Sequence, residues 1–92
     1  METFTKHDKQ KTQYSLIDPS FVTGVAEILT LGAEKYGKGN WQKCKEKARY
    51  DDALMRHLMS YFSGEKNDQE SGKSHLLHAA CNLMILNYLE EK

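Results

Sequence analysis

Several things this chain lacks narrow its class. It has two cysteines, Cys44 and Cys81, in 92 residues, too few for a disulfide framework. Neither stands in a CxxC pair, and no HxxxH follows, so the usual spacings of a zinc site are missing. No apolar run approaches the roughly 20 residues needed to cross a bilayer. Residues 1–11 are polar and lack the apolar stretch of a secretory signal; the expectation is a protein of the reducing cytoplasm with no membrane partner. Charge of neither sign prevails, with 13 basic and 13 acidic residues, which argues against stable binding of duplex nucleic acid. There is no segment of strand period, no internal repeat and no low-complexity tract. The motifs GxxxxGK[ST], GxGxxG and GxSxG are absent too, so P-loop, Rossmann and serine-hydrolase readings have no support.

What is present is helical. Residues 1–17 carry no helical period and read as an extended arm that lays Tyr14, Leu16 and Ile17 on the core. The rest, residues 18–92, reads as a single all-α nucleotide-binding domain, a small bundle of three main helices. Asp18 is a good N-cap and the single proline, Pro19, suits the first helical position. Val22, Val25, Ala26, Leu29, Ala33 and Tyr36 then recur at helical spacing and predict one buried stripe. Gly37 and Gly39 stop that helix. Thr23, Glu27, Thr30 and Glu34 form a polar row beside the stripe. A polar loop follows, holding one large aromatic, Trp41, expected either to pin the loop to the core or to stack on a ligand.

A second helix is expected from about Tyr50 to Ser63, with Asp51 and Asp52 favourably near its N-terminus and an apolar face of Leu54, Met55, Leu58, Met59, Tyr61 and Phe62. The acidic, turn-rich run GEKNDQESGKS comes next. Ser74 can cap a third helix, His75 to about Glu90. Leu76, Leu77, Ala79, Ala80, Leu83, Met84, Ile85, Leu86 and Leu89 cover most of its circumference. A helix apolar nearly all round is buried by neighbours or by another subunit, which predicts a homo-oligomer formed through it. Cys81, within that surface, reads as core.

Three polar residues interrupt the apolar helix. His75, His78 and Asn82 are three and four residues apart and share one stripe. Unpaired, each would cost about 1–3 kcal/mol to bury, so three in a row suggest a shared partner: a metal, a phosphate or a carboxylate cluster. Histidines satisfied by loop carbonyls are the alternative. Glu65, Asp68 and Glu70 lie in the loop leading into His75, and Glu65 and Asp68 are spaced to serve one hard cation such as Mg²⁺. Glu27 and Glu34 could meet that loop across the bundle. Lys6, Lys11, Lys35, Arg49 and Arg56 are candidate phosphate contacts, though surface cations are ordinarily just solvated.

In sequence order, the runs KHDKQK, LGAEKYGKGNW, ALMRHLMSYFSGE and DQESGKSHLLHAACNLMIL resemble the dATP/dGTP diphosphohydrolase N-terminal domain family, common in phages and related to the all-α MazG-like nucleotide pyrophosphohydrolases. The resemblance covers roughly Lys6 to Leu89. It implies an oligomeric helical domain that handles a purine deoxynucleoside triphosphate, releasing pyrophosphate with Mg²⁺ or Mn²⁺. Carried onto matching positions, it implies Glu65 and Asp68 as catalytic and metal-binding residues, and Glu34 from the polar row of the first helix is expected to join them. Lys6, Lys11, Lys35, Tyr36, Asn40, Trp41, Arg56, His57, His75, His78 and Asn82 are implied as nucleotide- or phosphate-binding, with Trp41 or Tyr36 stacking on the base. The MazG-type ExxE of the first helix is missing, since Thr30 stands three residues after Glu27; Glu65 and Asp68 keep an ExxD spacing within the acidic loop. A non-catalytic alternative is an oligomeric phage-type sponge that sequesters a cyclic nucleotide second messenger and blunts a host defence signal.

Overall fold

A computed structural model of the chain describes residues 10–91. Three α-helices make up most of them, and no strand occurs among the described residues. The first helix, α1, spans Pro19–Tyr36. Asp18 caps it as its position suggests: the Ser20 amide donates to Oδ1 at 3.1 Å and the Ser20 hydroxyl to Oδ2 at 2.7 Å. The helix ends at Gly37, whose φ of 96° is open to glycine at little cost. A 3-10 turn at Asn40–Lys43 follows.

The second helix, α2, spans Ala48–Phe62 and starts two residues before the expected Tyr50, with no side-chain cap at Lys47 to mark its beginning. The third, α3, spans His75–Glu90. The Ser74 hydroxyl accepts from the amides of Leu76 and Leu77 at 3.0 and 3.3 Å, satisfying two N–H groups that the first turn leaves open. No helix among the described residues is long and apolar enough to cross a membrane.

Helices α1 and α2 both pack on α3 and scarcely touch each other. This arrangement accounts for much of the apolar girth of α3, which serves two neighbours. Ala79, Cys81 and Ile85 of α3 and Ile28 of α1 form the buried apolar centre, while Leu76, Leu83 and Met84 of α3 remain exposed. Burial pushes the Cys81 thiol up to about 11, as befits a core cysteine. At the far end of α3, Trp41 meets Tyr88 edge-on with ring centroids 5.0 Å apart, so the indole pins its loop to the bundle. Lys47 pairs with Glu90 in the same region.

Three expectations need correcting. The face of α1 turned to α3 is not the Val22–Tyr36 stripe. Gly24 and Ile28 are buried, with Val25, Leu29, Gly32 and Ala33 half-buried, whereas Val22, Ala26 and Tyr36 are exposed. A Cβ on Gly24 would fall 2.6 Å from Leu77 Cδ1; the glycine lets the helices close in, and hydrophobic periodicity does not register a missing side chain. On α2, Leu54 and Leu58 are half-buried, but Met55, Met59, Tyr61 and Phe62 are exposed, because α1 does not reach across to cover them. Tyr14, Leu16 and Ile17 do not lie on the core either. They are 77%, 79% and 49% exposed, held off by a 3-10 turn in which the Leu16 and Ile17 amides donate to the Gln13 and Tyr14 carbonyls. Lys6, with the rest of the first nine residues, lies outside the described residues.

The two helical glycines of α1 therefore differ in kind. Gly24→Val should lower the unfolding free energy by about 1–3 kcal/mol through overpacking. A Cβ at Gly32 meets nothing within 4 Å, so Gly32→Ala should raise stability by up to about 1 kcal/mol from helix propensity alone. Urea denaturation of both variants checks the pair.

Candidate functional site

Because α1 and α2 diverge from a shared partner, a groove of about 940 Å³ opens between them. Its floor is the start of α3, carrying His75 and His78. Lys35 and Glu34 of α1 form one wall, Arg56, His57 and Ser60 of α2 the other, and the loop between α2 and α3 closes the end with Glu65, Asp68, Glu70 and Ser71.

The loop is fixed by its own backbone. The Asp68 amide donates to the Lys73 carbonyl at 2.8 Å, the Gly72 amide to the Asp68 carbonyl at 2.8 Å and the His75 amide to the Lys66 carbonyl at 2.9 Å. The Ser71 amide donates to Asp68 Oδ2 at 2.9 Å, and this bond above all holds the Asp68 carboxyl below its usual range. The loop thus presents Asp68 as a carboxylate, oriented before any ligand arrives.

Three imidazoles meet beside it. His75 is 3% exposed; its Nε2 lies 2.6 Å from Glu65 Oε1 and its Nδ1 lies 2.8 Å from His57 Nδ1. An ionised carboxylate only accepts, so His75 donates from Nε2. With His75 neutral, its Nδ1 then accepts from the Nδ1–H of His57. His57 also lies parallel to His78, with centroids 4.4 Å apart and planes 5° from coplanar orientation, and His78 Nε2 is 2.7 Å from the Ser71 hydroxyl. Burial, more than any other cause, holds both His57 and His78 below the ordinary imidazole range, and the other histidines add repulsion. Neutral rings of this kind are ligands rather than cations.

His57, Asp68 and His75 each offer a ligand atom, and these atoms lie within 4.8 Å of one another. Two nitrogens and one oxygen so disposed suit a divalent cation of intermediate softness. The set differs from Glu34, Glu65 and Asp68. Of those three only Asp68 is in the cluster; Glu65 stands behind it, bonded to His75, and Glu34 is exposed on the opposite wall.

The groove gathers residues far apart in sequence. Lys35 reaches across to Glu70 at 3.2 Å, whereas Arg56 makes no ion pair among the described residues. Glu27 meets the loop through Lys73 at 3.0 Å rather than through its acids. Lys11 is exposed and lines neither this groove nor the cavity beside it. That second cavity, of about 360 Å³, holds Asn40, Trp41 and Asn82, and it shares Tyr36, His57 and His78 with the groove. Sequence reasoning missed Ser71 and Gly32. Ser71 bonds His78, and Gly32 lines both spaces; a glycine inside a helical pattern is a signal of close approach or open space.

A sequence profile of the family described as dATP/dGTP diphosphohydrolase, N-terminal, matches residues 1–92. A protein of Salmonella phage PMBT28 named dATP/dGTP diphosphohydrolase is 41% identical over 87 residues, which take in 95% of this chain and 30% of the phage protein. The chain thus spans under a third of that relative's length. No solved structure matches it significantly. With a profile matched over residues 1–92, and with the KYGxxNW, RHL and ESGxxHxxHA runs gathered around the groove and the cavity beside it, the chain belongs to the dATP/dGTP diphosphohydrolase N-terminal family.

Proposed function

We propose that this domain holds the phosphates of a purine deoxynucleoside triphosphate in the groove between α1 and α2 and takes part in its hydrolysis to the monophosphate and pyrophosphate. The observation that carries the reading is the cluster of His57, Asp68 and His75, set in a groove whose rim carries Lys35 and Arg56. The name of the phage relative supports the choice of substrate. Two imidazoles beside one carboxylate favour Mn²⁺ over Mg²⁺, which prefers oxygen ligands and retained water. A divalent cation held there would screen phosphate charge and lower the pKa of a bound water.

The chain's own residues do the rest. Asp68 and the two imidazoles would hold the cation, and Glu65 orients His75 through its Nε2, the arrangement that keeps a metal-binding ring in one tautomer. Arg56 and Lys35 take the charge that develops on the phosphate oxygens. Glu34 lines the groove and makes no ion pair among the described residues, which leaves its carboxylate to accept a proton from the attacking water. Water adds to the α-phosphorus, the bond from that phosphorus to the bridging oxygen breaks, and pyrophosphate leaves. The exposed Leu76, Leu83 and Met84 of α3 support a homo-oligomer, and the free Cys44 and Cys81 accord with cytoplasmic residence.

A second reading keeps the groove and drops the reaction. The tight cluster holds one carboxylate, fewer than metal-dependent hydrolysis usually uses, so a non-catalytic binder that sequesters a linear or cyclic nucleotide is the competing class.

The test is incubation of the chain with dATP, dGTP and cyclic dinucleotides in Mn²⁺ or Mg²⁺, scored for bound ligand and for pyrophosphate. Pyrophosphate from dATP or dGTP, lost by about 100-fold or more in Asp68→Asn, is the expected result. Ligand recovered unchanged moves the domain to the binding class, and no binding at all removes both readings.

Acid should act on the metal-free domain through the same rings. With their folded pKa values lowered, His57 and His78 bind fewer protons folded than unfolded, so stability is complete above the unfolded value of about 6.5 and falls as pH drops through the folded values. Melting temperature should therefore decline between pH 7 and pH 5. Mn²⁺ should raise it more at pH 7.5 than at pH 5.5, because protonated imidazoles do not ligate; differential scanning fluorimetry measures both.

A further inference from the structure

In the hydrolysis Ser71 only helps to fix the loop, yet its hydroxyl has the surroundings of a nucleophile. Ser71 and His78 both line the groove and are half-buried. The Lys73 amide donates to Ser71 Oγ at 3.1 Å. The hydroxyl proton then has one acceptor among the described residues, His78 Nε2 at 2.7 Å. This assigns the unprotonated nitrogen of His78 to Nε2, aimed at the serine. The His78 ring is held by His57, stacked on it with centroids 4.4 Å apart. The serine is held by its turn: its amide donates to Asp68 Oδ2 at 2.9 Å, and the Gly72 amide donates to the Asp68 carbonyl at 2.8 Å. A hydroxyl within hydrogen-bond reach of a base, with the base oriented by a third group, is the arrangement that activates a nucleophile. No other serine among the described residues bonds an imidazole. Ser20 donates to the Asp18 carboxylate, Ser63 donates to a carbonyl and Ser74 accepts from helix amides, and none of these three lines the groove.

We propose that Ser71 is a nucleophile toward phosphorus, with His78 as its general base, and that it competes with water for the nucleotidyl group. The second half of this rests on the reading that the groove holds a nucleoside triphosphate. Ser71 Oγ bonds to the α-phosphorus as its proton passes to His78 Nε2. The bond from that phosphorus to the bridging oxygen breaks, and pyrophosphate leaves with the electron pair. The product is a phosphodiester that joins Ser71 to the deoxynucleoside. The Lys73 amide stabilises the negative charge that gathers on Oγ as the proton departs. Asp68 links this pair to the cluster beside it: its carboxylate takes the serine amide and also offers a ligand atom with His57 and His75. A phosphate bound at the cluster therefore lies next to the serine. Attack by water regenerates the domain, whereas transfer to Ser71 leaves the nucleotide in the groove and ends turnover.

Two reagents separate the nucleophile from the nucleotide. The full chain without metal is treated with diisopropyl fluorophosphate, a phosphorus electrophile that loses fluoride when a hydroxyl oxygen attacks it. Intact mass and peptide mapping locate the adduct. The expected result is one adduct, on Ser71, formed about 100-fold or more faster than any on Ser20, the gain that a positioned base supplies. His78→Gln slows it about 100-fold or more, and Ser71→Ala abolishes it; the map of the unaltered chain decides the matter even where a variant does not fold. The chain is then incubated with dATP and Mn²⁺ and quenched in acid. Pyrophosphate is expected, with part of the chain carrying dAMP on Ser71. A Ser71 no more reactive than Ser20 toward the fluorophosphate overturns the nucleophile. Pyrophosphate from dATP with no dAMP on Ser71 overturns the competition with water. An adduct on Ser71 from the fluorophosphate, but no pyrophosphate from dATP, sustains the nucleophile and overturns the triphosphate reading of the groove instead.

Discussion

The arrangement turns on one buried ring. His75 sits in the first turn of α3, almost without exposure, and it is tolerable there because Glu65 and His57 complete both of its nitrogens. A buried polar group left unpaired costs about 1–3 kcal/mol, so those two partners are constrained as tightly as the ring itself. Glu65 must come from the loop after α2 and His57 from the middle of α2. The bonds of His75 therefore fix how the loop folds back and how α2 lies along α3. The parallel stack of His57 on His78 and the bond from Ser71 to His78 extend the same constraint by one helical turn.

From that constraint the open architecture follows. The polar centre occupies the side of α3 that a closed three-helix bundle would fill with apolar side chains. Helix α1 packs elsewhere on α3, through Gly24 and Ile28, and leaves the groove between itself and α2. Burial holds His57 and His78 below the ordinary imidazole range, the Ser71 amide holds Asp68 below the usual carboxylate range, and the walls carry lysine and arginine. Such a division of roles among titratable groups is characteristic of sites that bind charged ligands. Family membership is consistent with a phosphate ligand, although the domain spans under a third of the phage relative.

Much of the fold was legible in the sequence. Asp18–Pro19, Ser74 and Gly37 marked helix ends by capping chemistry, and the caps are where that chemistry puts them. Apolar faces were less legible. Periodicity assigns a helix face by what its side chains are, while the line of contact on α1 was decided by what Gly24 lacks. The stripe of His75, His78 and Asn82 could be recognised as one row, because spacing on a single helix is local. That His57 rather than Glu34 joins Asp68 could not, since it depends on how two helices cross. Nor does spacing reveal that Asn82 serves a different space from His75: the change happens within two turns of one helix, as the groove gives way to the cavity behind it.

The position of α3 in the chain bears on how the protein comes into being on the ribosome. Both earlier helices rest on α3 and scarcely touch each other, and the loop that carries Asp68 is closed by bonds to Lys73 and His75. During synthesis α1 and α2 emerge first, with their exposed methionines and aromatics unsheltered. They have no shared surface to settle on until α3 follows. A nascent chain at that stage is a pair of short helices, each marginal alone in water, and is open to capture by chaperones or proteases. The groove, whose floor is the start of α3, is complete only once that helix is in place.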